Sequence, residues 1–238
     1  MPFLVGLHQR DRQPELMDAP GMAPEQLGQA LRGLERLNRV SGSCRLLWKP
    51  LRALARETAP RPLRVLDLAS GGGDVPLGLW HRARQAGLPI AIDGSDRNPD
   101  AVEYARRRAA EQGADVRFFV LDALGGPLPG GYDVLMNSLF LHHLDEADAV
   151  GLLQRMAAAA GRLVLVNDLV RNAPCLALVY LGTRVLNTSR VNRVDGVRSV
   201  RAAFTTAEAR ELARRAGLDG ATVTRVIPCR FVLAWRRT

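Results

Sequence analysis

The 238-residue sequence has no run of eighteen apolar residues, which argues against a membrane-spanning helix. Its first twelve residues put a short apolar start before charges, the reverse of a signal peptide's order. Cysteine is scarce. Cys44, Cys175 and Cys229 are widely spaced and odd in number, so no disulfide framework is expected and the chain fits a reducing cytoplasm. Lysine is nearly absent: Lys49 stands alone, and arginine supplies the other 32 of 33 basic residues. A net charge of +9 points toward nucleic acid. The arginines, however, are scattered rather than interleaved with the few aromatics, so the expected partner is a small molecule and not a nucleic acid. With four histidines and no His/Cys/Asp/Glu group at metal-ligand spacing, no metal is expected. No internal repeat is evident, and oligomeric state is left at monomer or homodimer.

What is present is a stretch around which the chain is organised, Val65-Leu-Asp-Leu-Ala-Ser-Gly-Gly-Gly-Asp74. An apolar run stops at three glycines, and a helical pattern follows. Glycine permits positive φ and close approach of a ligand to the backbone. Free amides at the next helix start favour polar or anionic groups. A second strand ends at Asp96, about 25 residues after Gly71, near the spacing of a ribose-binding carboxylate. A third strand ends at Asp122, and a fourth leads into Leu141-His142-His143-Leu144.

These residues resemble the class I S-adenosylmethionine (SAM) dependent methyltransferases, clearly from Leu63 to Val170 and more loosely in the flanks. The family pattern is an acid, then Gly-x-Gly-x-Gly, then acids after the second and third strands; here Asp67, Gly71, Gly73, Asp96 and Asp122 match. Ala69 stands at the first glycine position, as in the ubiquinone- and menaquinone-type small-molecule branch. The resemblance implies cofactor contacts from Asp67, Ala69, Gly71, Gly73, Asp96, Arg97, Asp122, Ala123 and Asn137, with SAM as methyl donor and S-adenosylhomocysteine as product. Glu15-Leu-Met-Asp18, Leu37-Asn-Arg39 and the segment around Arg171 and Arg201 are similar to methyltransferases found beside type III polyketide synthases, which act on phenolic lipids and quinone-like rings.

Taken in order, residues 1–22 look irregular and partly mobile. Leu27, Leu31, Leu34 and Leu37 give an amphipathic helix over 24–40. Ser43 is placed as the cap of a second helix over 44–57, with Pro50 as a kink or break. The core is expected as strand 63–69, helix 75–86, strand 89–95, helix 99–113 (Asn98 as cap), strands 116–122 and 132–140, helix 145–160 and strand 162–169. An apolar helix over 174–186, a helix from Thr205 or Thr206 to Ala216-Gly217, and strand-like runs 222–227 and 230–235 complete the chain. Alternating strands and helices imply a parallel sheet with helices on both faces, and ligands at the strands' carboxyl ends. The fold class is therefore α/β, Rossmann-like and doubly wound. The resemblance implies a mostly parallel seven-stranded sheet that ends in an antiparallel hairpin, and an arm and lid over residues 1–60 before a methyltransferase domain over 61–238, with plain packing of the N-terminal helices on the sheet edge left open. Residues 24–57 and 174–188 would cover the acceptor.

Methyl transfer from a sulfonium needs positioning and, for a phenol acceptor, a base. Histidine suits neutral pH, which makes His143 and then His142 the catalytic candidates. A structural role for one of them stays open. Arg171, Arg201 and Asp168 are substrate-binding candidates. The expected activity is O-methylation of a phenolic or quinol-type secondary metabolite, with carbon methylation of a quinone precursor as the near alternative. A nicotinamide-dependent oxidoreductase, a non-catalytic SAM-binding protein and an RNA methyltransferase stay open. No Asn/Asp-Pro-Pro-Tyr-type loop follows the fourth strand, which argues against amino or base methylation.

Overall fold

A computed structural model describes residues 6–18, 21–186 and 189–237. Parts of the arm (1–5, 19 and 20) and of the expected cover (187 and 188) lie outside the described residues. The elements are α1 (Pro24–Ser41), α2 (Ser43–Thr58), β1 (Leu63–Leu68), α3 (Asp74–Gln85), β2 (Ile90–Asp96), α4 (Pro99–Glu111), β3 (Val116–Val120) and β4 (Tyr132–Ser138). They continue as α5 (Glu146–Ala159), β5 (Ala160–Leu169), α6 (Ala173–Val185), α7 (Arg190–Ala202), α8 (Thr206–Arg215), β6 (Thr222–Val226) and β7 (Arg230–Arg236). The seven strands run in the order β3-β2-β1-β4-β5-β7-β6. β1 to β5 are parallel, and β7 lies antiparallel between β5 and β6. The order reverses between β1 and β4, the place where such a sheet opens a crevice at its carboxyl edge.

Strand alternation sorts the core. Leu66, Leu68 and Leu135 pack toward α5 and α8 with Leu152, Leu153 and Phe204. Val65, Val134 and Met136 pack toward α2 and α3 with Leu47, Leu51 and Leu79. Asn98 caps α4 by accepting from the Asp100 amide at 2.9 Å. Thr205 and Glu208 form a reciprocal capping box on α8.

Three local expectations are corrected, and one helix is added. α2 runs unbroken through Pro50, because Leu47, Leu51 and Leu54 are fully or almost fully buried on the sheet, and that packing outweighs the one hydrogen bond proline removes. Ser43 is the first helical residue rather than the cap, and its hydroxyl donates to Asn38 Oδ1. β4 stops at Ser138 rather than 140, since Leu139 turns to φ 60° and a short 3-10 turn, Leu141–His143, follows. The arginine-rich stretch holds a second helix, α7, capped by Ser189.

The arm is also more than an irregular leader. Arg10 places its guanidinium 3.5 Å over the Phe204 ring and donates to the carbonyls of Ala202 and Leu144. The amides of Leu16 and Met17 both donate to Asp195 of α7. The lone acid in the arginine-rich segment thus pins the turn Leu16–Asp18 against the body.

Gly73 shows how tightly the glycine turn is packed. Its φ is 76°, and a Cβ there would lie 2.6 Å from the Phe118 ring. Gly73→Ala is expected to cost about 2 kcal/mol or more, combining left-handed backbone strain with overpacking. A lower urea midpoint for the variant would bear this out; a midpoint equal to wild type would contradict it.

Candidate functional site

A cavity of about 810 Å³ opens at the carboxyl edge of the sheet, beside the β1–β4 reversal. That volume falls within the range of pockets that enclose drug-sized ligands. One half is walled by the glycine turn and the ends of β2 and β3, with Leu31 of α1 and Asp18 of the arm against them; the rest of the arm and of α1, with α6 and α7, cover the other half. α2 contributes nothing to the wall, so of the expected lid helices α1 and α6 cover the cavity and α2 packs on the sheet.

In the first half, Ala69 and Gly71 both adopt left-handed φ, 54° and 52°. This bends the chain so that Asp96 Oδ2 accepts from the Gly71 amide at 2.8 Å while Oδ1 accepts from Asn98 at 2.9 Å. The carboxylate is thereby fixed, with its remaining lone pairs available at the cavity. Burial raises its pKa, and the two amides counter part of that. Asp67 is 1% exposed, and its Oδ1 has no protein partner. Burial pushes its carboxyl well up, and the negative neighbours Asp74 and Asp96 add to this. A buried, unpartnered carboxyl oxygen on a cavity wall suits a cationic or N–H-bearing ligand group. Asp122, whose Oδ1 accepts from the Leu124 amide, lines the same half with Arg97 and Ala123.

Two expected cofactor residues stand elsewhere. Gly73 is not on the cavity wall; it serves the packing of α3 against Phe118. Asn137 shares the parity of Leu135, faces α5 and donates to Met156 Sδ. Its neighbours Ser138, Leu139 and Phe140 reach the cavity instead.

In the second half the fold builds a cluster that spans the chain. His142 Nδ1 lies 2.7 Å from Asp168 Oδ1, and its backbone amide also donates to Asp168. Its Nε2 lies 3.5 Å from Glu15. His143 Nδ1 is 3.3 Å from Asp18, and its Nε2 is 3.8 Å from Glu15 Oε2. The two rings stack with centroids 4.4 Å apart. Glu15 is held from behind by Ser199, whose hydroxyl donates at 2.5 Å. Arg10 and Arg12 of the arm hold the carbonyls of His142 and His143. Burial alone would lower the His142 pKa, but Asp168 and Glu15 outweigh it and raise it to about 10. Glu15 shows the reverse: burial raises it, while the bond to His142 and the charges of both histidines bring it down. Asp18 is lowered, first by its bond to His143. With Asp168 and Glu15 beside its two ring nitrogens, His142 is a poor proton acceptor, and a ligand that reaches Nε2 has to displace its proton. His143 keeps its Nε2 without a hydrogen-bond partner among the described residues, on the cavity wall.

The three substrate-binding candidates are not among the residues that line this cavity. Arg171 is almost fully buried away from the cavity, where it donates to Leu7 and Ala203 carbonyls and pairs with Glu208 at 2.6 Å. Arg201 sits at the end of α7, 3.7 Å from Asp11. Asp168 is 1% exposed and holds His142 rather than a ligand. A residue the sequence did not single out lines the cavity. Arg230, first residue of β7, is 4% exposed. Its Nη2 donates to Asn38 and Ser41, while Nε and Nη1 have no protein partner. Burial lowers its pKa.

Residues 65–161 match the family described as "Methyltransferase domain". A demethylmenaquinone methyltransferase of Thermus thermophilus is 40% identical over 129 residues, 53% of this chain and 56% of that one. A demethylmenaquinone methyltransferase of Deinococcus radiodurans is 34% identical over 116 residues, 48% of this chain and 46% of that one. The matches thus span about half the length of these curated relatives. The structure of magnesium protoporphyrin IX methyltransferase from Synechocystis PCC 6803 with bound SAH has 16% identity and a TM-score of 0.59. It covers 93% of this chain and 91% of that chain, a likeness of fold. Residues 65–161 thus match a methyltransferase domain, and the chain shares the fold of a solved methyltransferase.

Proposed function

We propose that this protein transfers a methyl group from SAM to the oxygen of a small, largely apolar acceptor, a phenol or quinol that also carries a carbonyl or anionic oxygen. The observation that carries this reading is one cavity with two chemically different halves. A fixed carboxylate and a glycine turn suit a nucleoside in one half. An imidazole–carboxylate cluster with leucine walls and a buried arginine suits an acceptor in the other.

The residues fit the methyl donor. Asp96 has lone pairs for a pair of ribose hydroxyls. Asp122 and Ala123 lie where an adenine edge would pass, and the unpartnered Asp67 Oδ1 suits a cationic methionine end. SAM supplies the methyl carbon and leaves as S-adenosylhomocysteine. The acceptor rests against Leu34 and Leu37 of α1, with its carbonyl or anionic oxygen on the free N–H groups of Arg230. His143 Nε2 takes the hydroxyl proton, and Asp18 beside Nδ1 fixes the tautomer that leaves Nε2 as the acceptor. The freed oxygen attacks the methyl carbon in line, and the cover of arm and helices excludes water.

The test is transfer from labelled SAM to a panel of phenols and quinols with and without a neighbouring carbonyl or carboxyl group. His143→Ala should lower turnover about 10²- to 10⁴-fold, the usual worth of a positioned base. Its S-adenosylhomocysteine affinity should stay within about twofold. Full turnover in that variant would overturn the base assignment, and equal rates on acceptors without the second oxygen would overturn the role of Arg230.

A further inference from the structure

The cluster Glu15–His142–His143 has a geometry that an ion pair alone does not require. One ligand atom from each residue lies within 4.8 Å of the others, all on the cavity wall. Each imidazole faces this point through Nε2 while its Nδ1 is beside a separate carboxylate, Asp168 for His142 and Asp18 for His143. A carboxylate behind each histidine is the arrangement by which proteins orient metal-binding imidazoles and raise their basicity. Glu15 is fixed in turn by Ser199, so its oxygens stay directed at both rings.

We propose that Glu15, His142 and His143 form a binding site for one divalent transition-metal ion. Ligand atoms about 2.0–2.2 Å from a tetrahedral ion stand roughly 3.3 Å from one another. His142 Nε2 lies 3.5 Å from Glu15 Oε1 and His143 Nε2 lies 3.8 Å from Oε2, so each ring meets its own oxygen of the carboxylate and one ligand atom from each residue falls within 4.8 Å of the others. Two imidazoles and a carboxylate suit zinc, iron, cobalt or nickel better than magnesium or calcium, which prefer oxygen donors. Three protein ligands leave at least one coordination position, and it opens to the cavity. This is the pattern of reactive rather than closed structural sites.

The consequence for catalysis rests on the proposed methyl transfer; the binding does not. With the ion in place, His143 Nε2 is a ligand, and activation of the acceptor hydroxyl passes to the ion. Coordination lowers the hydroxyl's pKa.

The experiment uses the full chain, stripped with a chelator and dialysed, with Zn²⁺ and Co²⁺ as probes. Titration calorimetry should show one equivalent bound in the absence of SAM or acceptor. Glu15→Gln and His143→Ala should each weaken binding at least about 10-fold, and Asp168→Asn, acting through His142, about 10- to 100-fold. His81→Ala, on the far side of α3, should bind as wild type does. Thermal melts of each variant separate lost binding from lost folding, and Glu15→Gln, isosteric and partly exposed, keeps the question open to test if Asp168→Asn unfolds. The Co²⁺ spectrum should lack a thiolate charge-transfer band. Absence of binding, binding that survives both Glu15→Gln and His143→Ala, or a thiolate band that places the ion at cysteine would each overturn the site. S-adenosylhomocysteine binding, measured separately, reports on the methyl-donor reading alone, so either idea can fail without the other.

Discussion

Asp96→Ala is expected to weaken S-adenosylhomocysteine binding by about 1–3 kcal/mol, or roughly 5- to 150-fold in Kd, the usual cost of removing a charged hydrogen-bond partner. The carboxylate does two things at once. It accepts from the Gly71 amide and so holds the glycine turn, and it presents its remaining lone pairs to the cavity. Asp96→Asn separates these roles. It keeps the size and one acceptor oxygen, so the turn should survive while the charge-assisted part of ligand binding falls. Calorimetry on both variants, with melting curves as the folding control, should show the loss graded as alanine beyond asparagine. Wild-type affinity in Asp96→Ala would remove Asp96 from the ligand site.

Arg171→Ala has the largest expected effect on stability. Its guanidinium is 1% exposed as a side chain, pairs with Glu208 and donates to two carbonyls from distant parts of the chain. Removing one partner of a buried, hydrogen-bonded charge pair costs on the order of 3–5 kcal/mol. Glu208 is 38% exposed and can turn to water, so the lower end, about 3 kcal/mol, is expected here. Denaturant unfolding should show that loss, while S-adenosylhomocysteine affinity measured well below the melting point should hold within about twofold. A stable variant with impaired ligand binding would return Arg171 to the ligand site.

Much of the half proposed to take a nucleoside was legible because its residues are local. A strand, a glycine turn and an acid about 25 residues later are read along the chain, and the fold brings them together as Asp67, Gly71 and Asp96. The parallel sheet followed from the alternation of strand and helix, and the closing hairpin from the family resemblance; the strand order was not legible along the chain. The acceptor half was legible only in pieces. His142 and His143 were visible after the fourth strand, but Glu15 reaches them from well over a hundred residues away, and no spacing rule connects these positions. That distance is also why sequence spacing gave no metal-ligand group. Arg171, Arg201 and Arg230 look alike as letters. Burial and pairing separate them: Arg171 and Arg201 hold the chain to itself, and Arg230, on the cavity wall, keeps two buried nitrogens without a protein partner. Asn137 could have been excluded by parity, since it alternates with Met136 and shares a face with Leu135. Pro50 misled because a proline reads as a helix break, while the burial of Leu47, Leu51 and Leu54 that overrides it is a tertiary effect.

The most direct test of the central claim is calorimetric titration of the wild-type protein with S-adenosylhomocysteine, with NADH as the control ligand. The two-halved cavity predicts one equivalent of S-adenosylhomocysteine bound with micromolar affinity and no heat from NADH. Binding of NADH with none of S-adenosylhomocysteine would contradict the methyl-transfer account and turn the same glycine turn and Asp96 toward nicotinamide chemistry.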